Sequence, residues 1–105
     1  MILNVVADGQ SFPVEVPDAM LAEGQEMFNK MDTDMNKGWQ WGREWVDNPN
    51  VEQRCQIAAD KLLTALETEN KNMQMMMAAY ILSKNPMCET VVVDIQGEMS
   101  ETHFM

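Results

Sequence analysis

Asp8 and Gly9 stand between two short runs rich in β-branched and aromatic residues. An Asp-Gly pair in that setting marks the two-residue turn joining antiparallel strands, because both residues tolerate the positive φ that matches strand twist. With the pair at the tip, Val5 lies opposite Phe12 and Leu3 opposite Val14, two apolar pairs on one face. The other face carries Asn4, Ser11 and Glu15, with Ile2 and Val6 interrupting the alternation. Residues 1–16 are therefore predicted as a β-hairpin whose apolar face needs a second layer.

The rest of the chain can supply that layer. Pro17 ends the strand, and Asp18 is placed to cap a helix from Ala19. At 100° per residue, Met20, Gly24, Met27, Phe28, Met31, Met35, Gly38, Gly42, Trp45 and Val46 form one apolar arc. Three glycines on the arc would admit another backbone closely. A helix over 19–47 would be about 43 Å long, so a bend or break is expected near residues 32–38. Asn48-Pro49-Asn50 closes this segment.

From Val51 a second stripe runs through Cys55, Ala58, Ala59, Leu62, Ala65 and Leu66. Polar residues 67–72 break it, and residues 73–83 read as a helix apolar nearly all round, which places it between two layers. Residues 90–95 and 99–104 are predicted to form a second hairpin through Gln96-Gly97. The expected class is α+β: an N-terminal β-hairpin, two or three central helices, and a C-terminal strand pair completing one antiparallel sheet with helices on one face. The 105 residues make one domain, 1–105, and 46% apolar content argues against disorder.

Charge narrows the function classes. Seventeen acids against seven Lys plus Arg give −10. Residues 1–47 hold nine acids and three bases, 48–85 four of each, and 86–105 four acids and no base. Direct nucleic-acid binding and anionic membrane surfaces are disfavoured, since both need clustered Lys and Arg. No apolar run reaches the roughly 20 residues that span a bilayer, and the first residues do not resemble a signal peptide. The expected location is cytoplasmic. Cys55 and Cys88 form neither a redox pair nor a disulfide framework, and read as small buried residues or at most one bridge.

The string Asp32-Thr-Asp34-Met-Asn36-Lys-Gly38, followed by Glu44, resembles the start of an EF-hand calcium loop, with Phe28 and Met31 matching the incoming helix. Lys37 and Arg43 stand where that loop takes glycine and a bidentate Glu; Gly38 and Glu44 come one residue late, and Trp39 replaces an aliphatic residue. On the helical arc Asp32 and Asn36 face solvent while Asp34 leaves the opposite edge, so a solvated acidic face accounts for them and no metal site is expected. The twelve methionines include Met73, Met75, Met76 and Met77. Thioethers suit Cu(I), but Met73 and Met77 share a face that Met75 does not. Their expected use is a plastic core or an adaptable partner surface, and no cofactor is called for.

Trp45 lies on the core arc, with Trp39 and Trp41 at its edges. Trp39, Trp41 and Arg43 are thus the candidate partner contacts, since Trp and Arg dominate interface hot spots. Catalysis has little to draw on. His103 is the one histidine, no Cys–His or Ser–His pair is indicated, and no Gly-rich loop leads a strand into a helix. The expectation is a methionine-rich, acidic, non-enzymatic protein that binds another protein as an accessory, assembly or regulatory factor. Its partner would carry a basic patch, or be a second copy in a homodimer. Two alternatives are an acidic nucleic-acid mimic that inhibits a DNA- or RNA-binding protein, and calcium binding at residues 32–44.

Overall fold

Asp8 and Gly9 take φ of 53° and 72°, and their turn joins β1 (Ile2–Ala7) to β2 (Gln10–Glu15). The strands pair antiparallel with Leu3 opposite Val14 and Val5 opposite Phe12, as the turn requires. The structure, a computed structural model, describes residues 1–41, 44–96 and 98–105.

Hydrogen bonding assigns each side of β1. Met1 and Val16 exchange both backbone bonds, at 2.8 and 2.7 Å, which directs the odd residues of β1 toward β2. The even residues turn to the other neighbour: Asn4 N–H donates to Glu89 C=O, and Val93 N–H to Val6 C=O. By the same alternation β2 points Ser11, Pro13 and Glu15 at its free edge, and Pro13 has no N–H to offer there.

That other neighbour is β5 (Thr90–Val92), which runs parallel to β1, while β6 (His103–Phe104) pairs antiparallel with β5. The sheet is therefore four-stranded and mixed, in the order β2-β1-β5-β6, rather than wholly antiparallel. Among the described residues all the α-helices lie between β2 and β5 in sequence, a connection long enough for either direction. The C-terminal strands are also shorter than predicted. The Asp94 carboxylate accepts the N–H groups of Gln96 and Glu98 at 3.0 and 2.8 Å, and a 3₁₀ turn at Met99–Glu101 precedes β6.

The predicted helix over 19–47 is replaced by three pieces: α1 (Asp18–Glu23), α2 (Gln25–Asn36) and a two-stranded ribbon, β3 (Trp39–Trp41) with β4 (Glu44–Val46). Asp18 begins α1 rather than capping it. The break at Gly24 leaves room for an aromatic ring, since a Cβ there would lie 2.9 Å from Phe28. At Gly24 the Met20 carbonyl oxygen also crowds that space, at 2.6 Å, whereas at Gly38 the neighbours are side-chain atoms of Trp45.

Helix α3 (Val51–Glu67) starts at a capping box in which Asn50 and Gln53 bond each other's backbone N–H. Glu69, at φ 56°, turns the chain, and Asn70 caps α4 (Lys71–Lys84). As its composition demands, α4 buries Met77 through Leu82, packing on α1, α3 and β2. Met73, Met75 and Met76 are half-buried. The core joins Leu3, Val5, Val14 and Val91 from the sheet to Phe28, Met35, Ile57, Leu62 and Ile81 from the helices. Cys55 and Cys88 lie in it as free thiols. Among the described residues no helix is long and apolar enough to cross a membrane.

Candidate functional site: a tryptophan on a short ribbon

The ribbon begins where α2 stops. Gly38 takes φ 102°, a conformation costly for any residue with a Cβ, and its N–H closes the helix on Met35 C=O at 3.0 Å. Strand β3 then pairs with β4 in the register Trp39 to Val46, Gln40 to Trp45 and Trp41 to Glu44. Because strand side chains alternate, Trp39 and Val46 share one face and Gln40 and Trp45 the other.

This alternation reverses the roles read from helical spacing. Trp39 is half-buried against the core, with Lys61 Nζ 4.7 Å from its ring centroid. Trp45, placed on the core arc by helical spacing, is 58% exposed. Arg43 and the side chain of Trp41, the other candidate contacts, lie outside the described residues, as does Gly42.

Trp45 is exposed but held. Its indole lies across buried Gly38, where a Cβ would fall 2.6 Å from Cε2, Cζ2 and Nε1. Its Nε1–H donates to Asp47 Oδ1 at 2.8 Å. One ring face is backed by the chain and the polar edge is satisfied within it.

The base of the ribbon is fastened by one side chain. Arg54, on α3, donates from Nη1 to the Asp32 carbonyl at 3.3 Å and carboxylate at 3.2 Å, and from Nη2 to Asn36 Oδ1. Downstream of the ribbon, Arg54 also reaches Asn48 Oδ1 at 2.9 Å and the Pro49 carbonyl at 2.7 Å. The segments entering and leaving the ribbon are thus pinned to the same guanidinium, whose planar fork of five donors suits the task.

Asp32 completes the hub. Besides Arg54 it accepts the buried Tyr80 hydroxyl at 2.6 Å and Lys84 Nζ at 2.7 Å, both from α4. Tyr80 packs edge-on against Phe28 at 6.0 Å. Burial opposes ionisation of Asp32, but hydrogen bonds from Lys84, Tyr80 and Arg54 outweigh it and hold the pKa below the ordinary 3.8. Burial, and then the bond to Asp32, push the Tyr80 hydroxyl well above its usual range. Asp32 therefore faces α3 and α4 rather than solvent, and together with Asn36 it is engaged by Arg54.

Elsewhere the chemistry is quiet. Burial raises the Cys55 thiol to about 11 and also raises Cys88, so neither is a ready thiolate. His103 is exposed, its Nδ1 3.2 Å from the Glu101 carbonyl. Asp8, Asp94, Glu98 and Glu101 rim one depression. Among the described residues no three His, Cys, Asp or Glu side chains are grouped to hold a metal ion.

Sequence reasoning missed the hub. The available signal was Tyr80, a lone tyrosine in an almost wholly apolar helix, whose hydroxyl needs a partner once buried. No family model, curated protein or solved structure matches the chain.

Proposed function

We propose that this chain acts by binding another protein, as an accessory, assembly or regulatory factor, with Trp45 as the anchor of the contact. The observation that carries this reading is a tryptophan 58% exposed although its back lies on Gly38 and its N–H is bound to Asp47. A ring already fixed loses little freedom on docking, and tryptophan supplies more contact area than any other side chain. Trp39, half-buried under Lys61, supports the ribbon from the other face.

Quantitative cross-linking in the source cell tests this with wild-type chain and Trp45→Ala. Loss of a central hot spot, about 2 kcal/mol or roughly thirtyfold in affinity, is expected to remove the partner while leaving the melting curve in place. Equal recovery of the same partner by both chains would contradict it. A dimer that Trp45→Ala dissolves would identify the partner as a second copy.

One observation favours a second reading, an acidic mimic of a nucleic-acid backbone. Asp8, from the first hairpin, joins Asp94, Glu98 and Glu101 around a single depression. That reading expects competition with DNA for a basic protein, falling steeply with salt; competition indifferent to salt overturns it.

A further inference from the structure

At the end of α4, one lysine is held by an aromatic residue and a carboxylate acting together. Tyr80 donates its hydroxyl to Asp32 at 2.6 Å, and Lys84 Nζ lies 2.7 Å from the other Asp32 oxygen and 5.5 Å from the Tyr80 ring centroid. The carboxylate orients the ring's polar edge, and ring and carboxylate attract the same ammonium. On the surface, Trp45 and Asp47 repeat the first two members, with Nε1–H donating to Oδ1 at 2.8 Å. Among the described residues the cations over aromatic rings are Lys61 on Trp39 and Lys84 on Tyr80.

We infer that the third member is supplied from outside: the Trp45–Asp47 pair docks an arginine or lysine side chain from a basic segment of the partner protein. This rests on the reading of Trp45 as a partner contact and specifies what it contacts. The indole N–H is already committed, so the ring offers its π face, whose quadrupole favours a cation, and tryptophan is the best such face. A carboxylate has about four acceptor sites, of which the indole takes one.

The surrounding charge agrees. Asp34, Glu44, Asp47 and Glu52 are exposed on the ribbon and on the segments that bracket it. Among the described bases near the ribbon, Arg54 and Lys84 are engaged by Asp32 and Lys61 by Trp39, which leaves Lys37 exposed against these four carboxylates. A basic segment meets complementary charge here, and an acidic one meets repulsion.

The test uses the full chain and two fluorescein-labelled ten-residue peptides, one with four arginines among glycines and one with glutamines in their place, read by anisotropy at low salt. The arginine peptide is expected to bind and the glutamine peptide not to. Trp45→Leu and Asp47→Asn should each weaken binding about tenfold. Glu98→Gln removes the same charge far from the ribbon and should leave binding within twofold, and thermal melts confirm that each variant folds. Peptides that bind alike, or Asp47→Asn and Glu98→Gln variants that behave alike, would overturn the inference. If the peptides bind alike while Trp45→Ala still removes the cross-linked partner, the protein-binding reading stands and only the cationic contact falls. Arginine-peptide binding indifferent to Trp45→Leu removes the site itself.

Discussion

Gly38 and Asp32 carry more of this structure than their sequence contexts suggest. Gly38 combines a φ of 102° with an indole occupying the space of its missing Cβ. Gly38→Ala must strain the backbone and displace the ring, and is expected to cost about 1–2 kcal/mol, read as a lower melting temperature with shifted tryptophan emission. Unchanged emission would mean that the ring does not rest on Gly38. Asp32→Asn removes the charge facing Arg54 and Lys84 and is expected to cost about 2 kcal/mol at neutral pH. Because the folded pKa of Asp32 lies below 3.8, its contribution is complete above that value and lost as pH falls through the folded pKa. The stability gap between wild type and Asp32→Asn should therefore be constant near neutrality and close below about pH 4 in urea melts. A gap that persists at pH 2 would place the effect outside the carboxylate's charge.

At the scale of elements, what could be read from the sequence followed from how many residues repeated a pattern. The first hairpin was legible because Asp8-Gly9 fixed both turn and register, α3 because its stripe ran for several turns, and α4 because an almost wholly apolar run stood between polar breaks. The ribbon was hidden because each strand has three residues, too few for a period of two to compete with a helical arc drawn through Gly38, Trp45 and Val46. Trp39-Gln40-Trp41 after a glycine was the visible sign of a strand. The parallel pairing of β1 with β5 left no local trace, since direction across so long a connection is set by packing. Pro13 is an element-scale device that interrupts the donors on the free edge of β2. Pro13→Val restores an N–H there, and is expected to give concentration-dependent association by light scattering at high salt, where the charge of −10 is screened. A variant that stays monomeric in high salt would show that the edge is protected by other means.

Across the whole molecule, the acidic first part and the neutral middle of the sequence do not become separate sides. Asp32 from the first part takes up Arg54 and Lys84 from the second, so two of the middle's four bases are spent holding α2 against α3 and α4. Of the exposed acids, Asp34, Glu44, Asp47 and Glu52 lie on or beside the ribbon and Asp8, Glu98 and Glu101 rim the depression, while the others, Glu23, Glu26, Asp60 and Glu67 among them, are spread over the helices and the remaining surface. The tryptophan cluster could be singled out in advance, with Trp39 and Trp41 rather than Trp45 as its open rings, but the exposure of Trp45 depended on Arg54 fastening both ends of the ribbon across 22 residues to Asp32 and six to Asn48. That fastening makes an exposed ring a rigid one. Its most direct test is the ¹H–¹⁵N heteronuclear NOE of the Trp45 indole N–H in wild-type chain and in Arg54→Met. The expected result is a wild-type value matching the backbone of α3, falling sharply in Arg54→Met while α3 itself stays rigid. A Trp45 indole already mobile in the wild type, or one unmoved by the loss of Arg54, would contradict it.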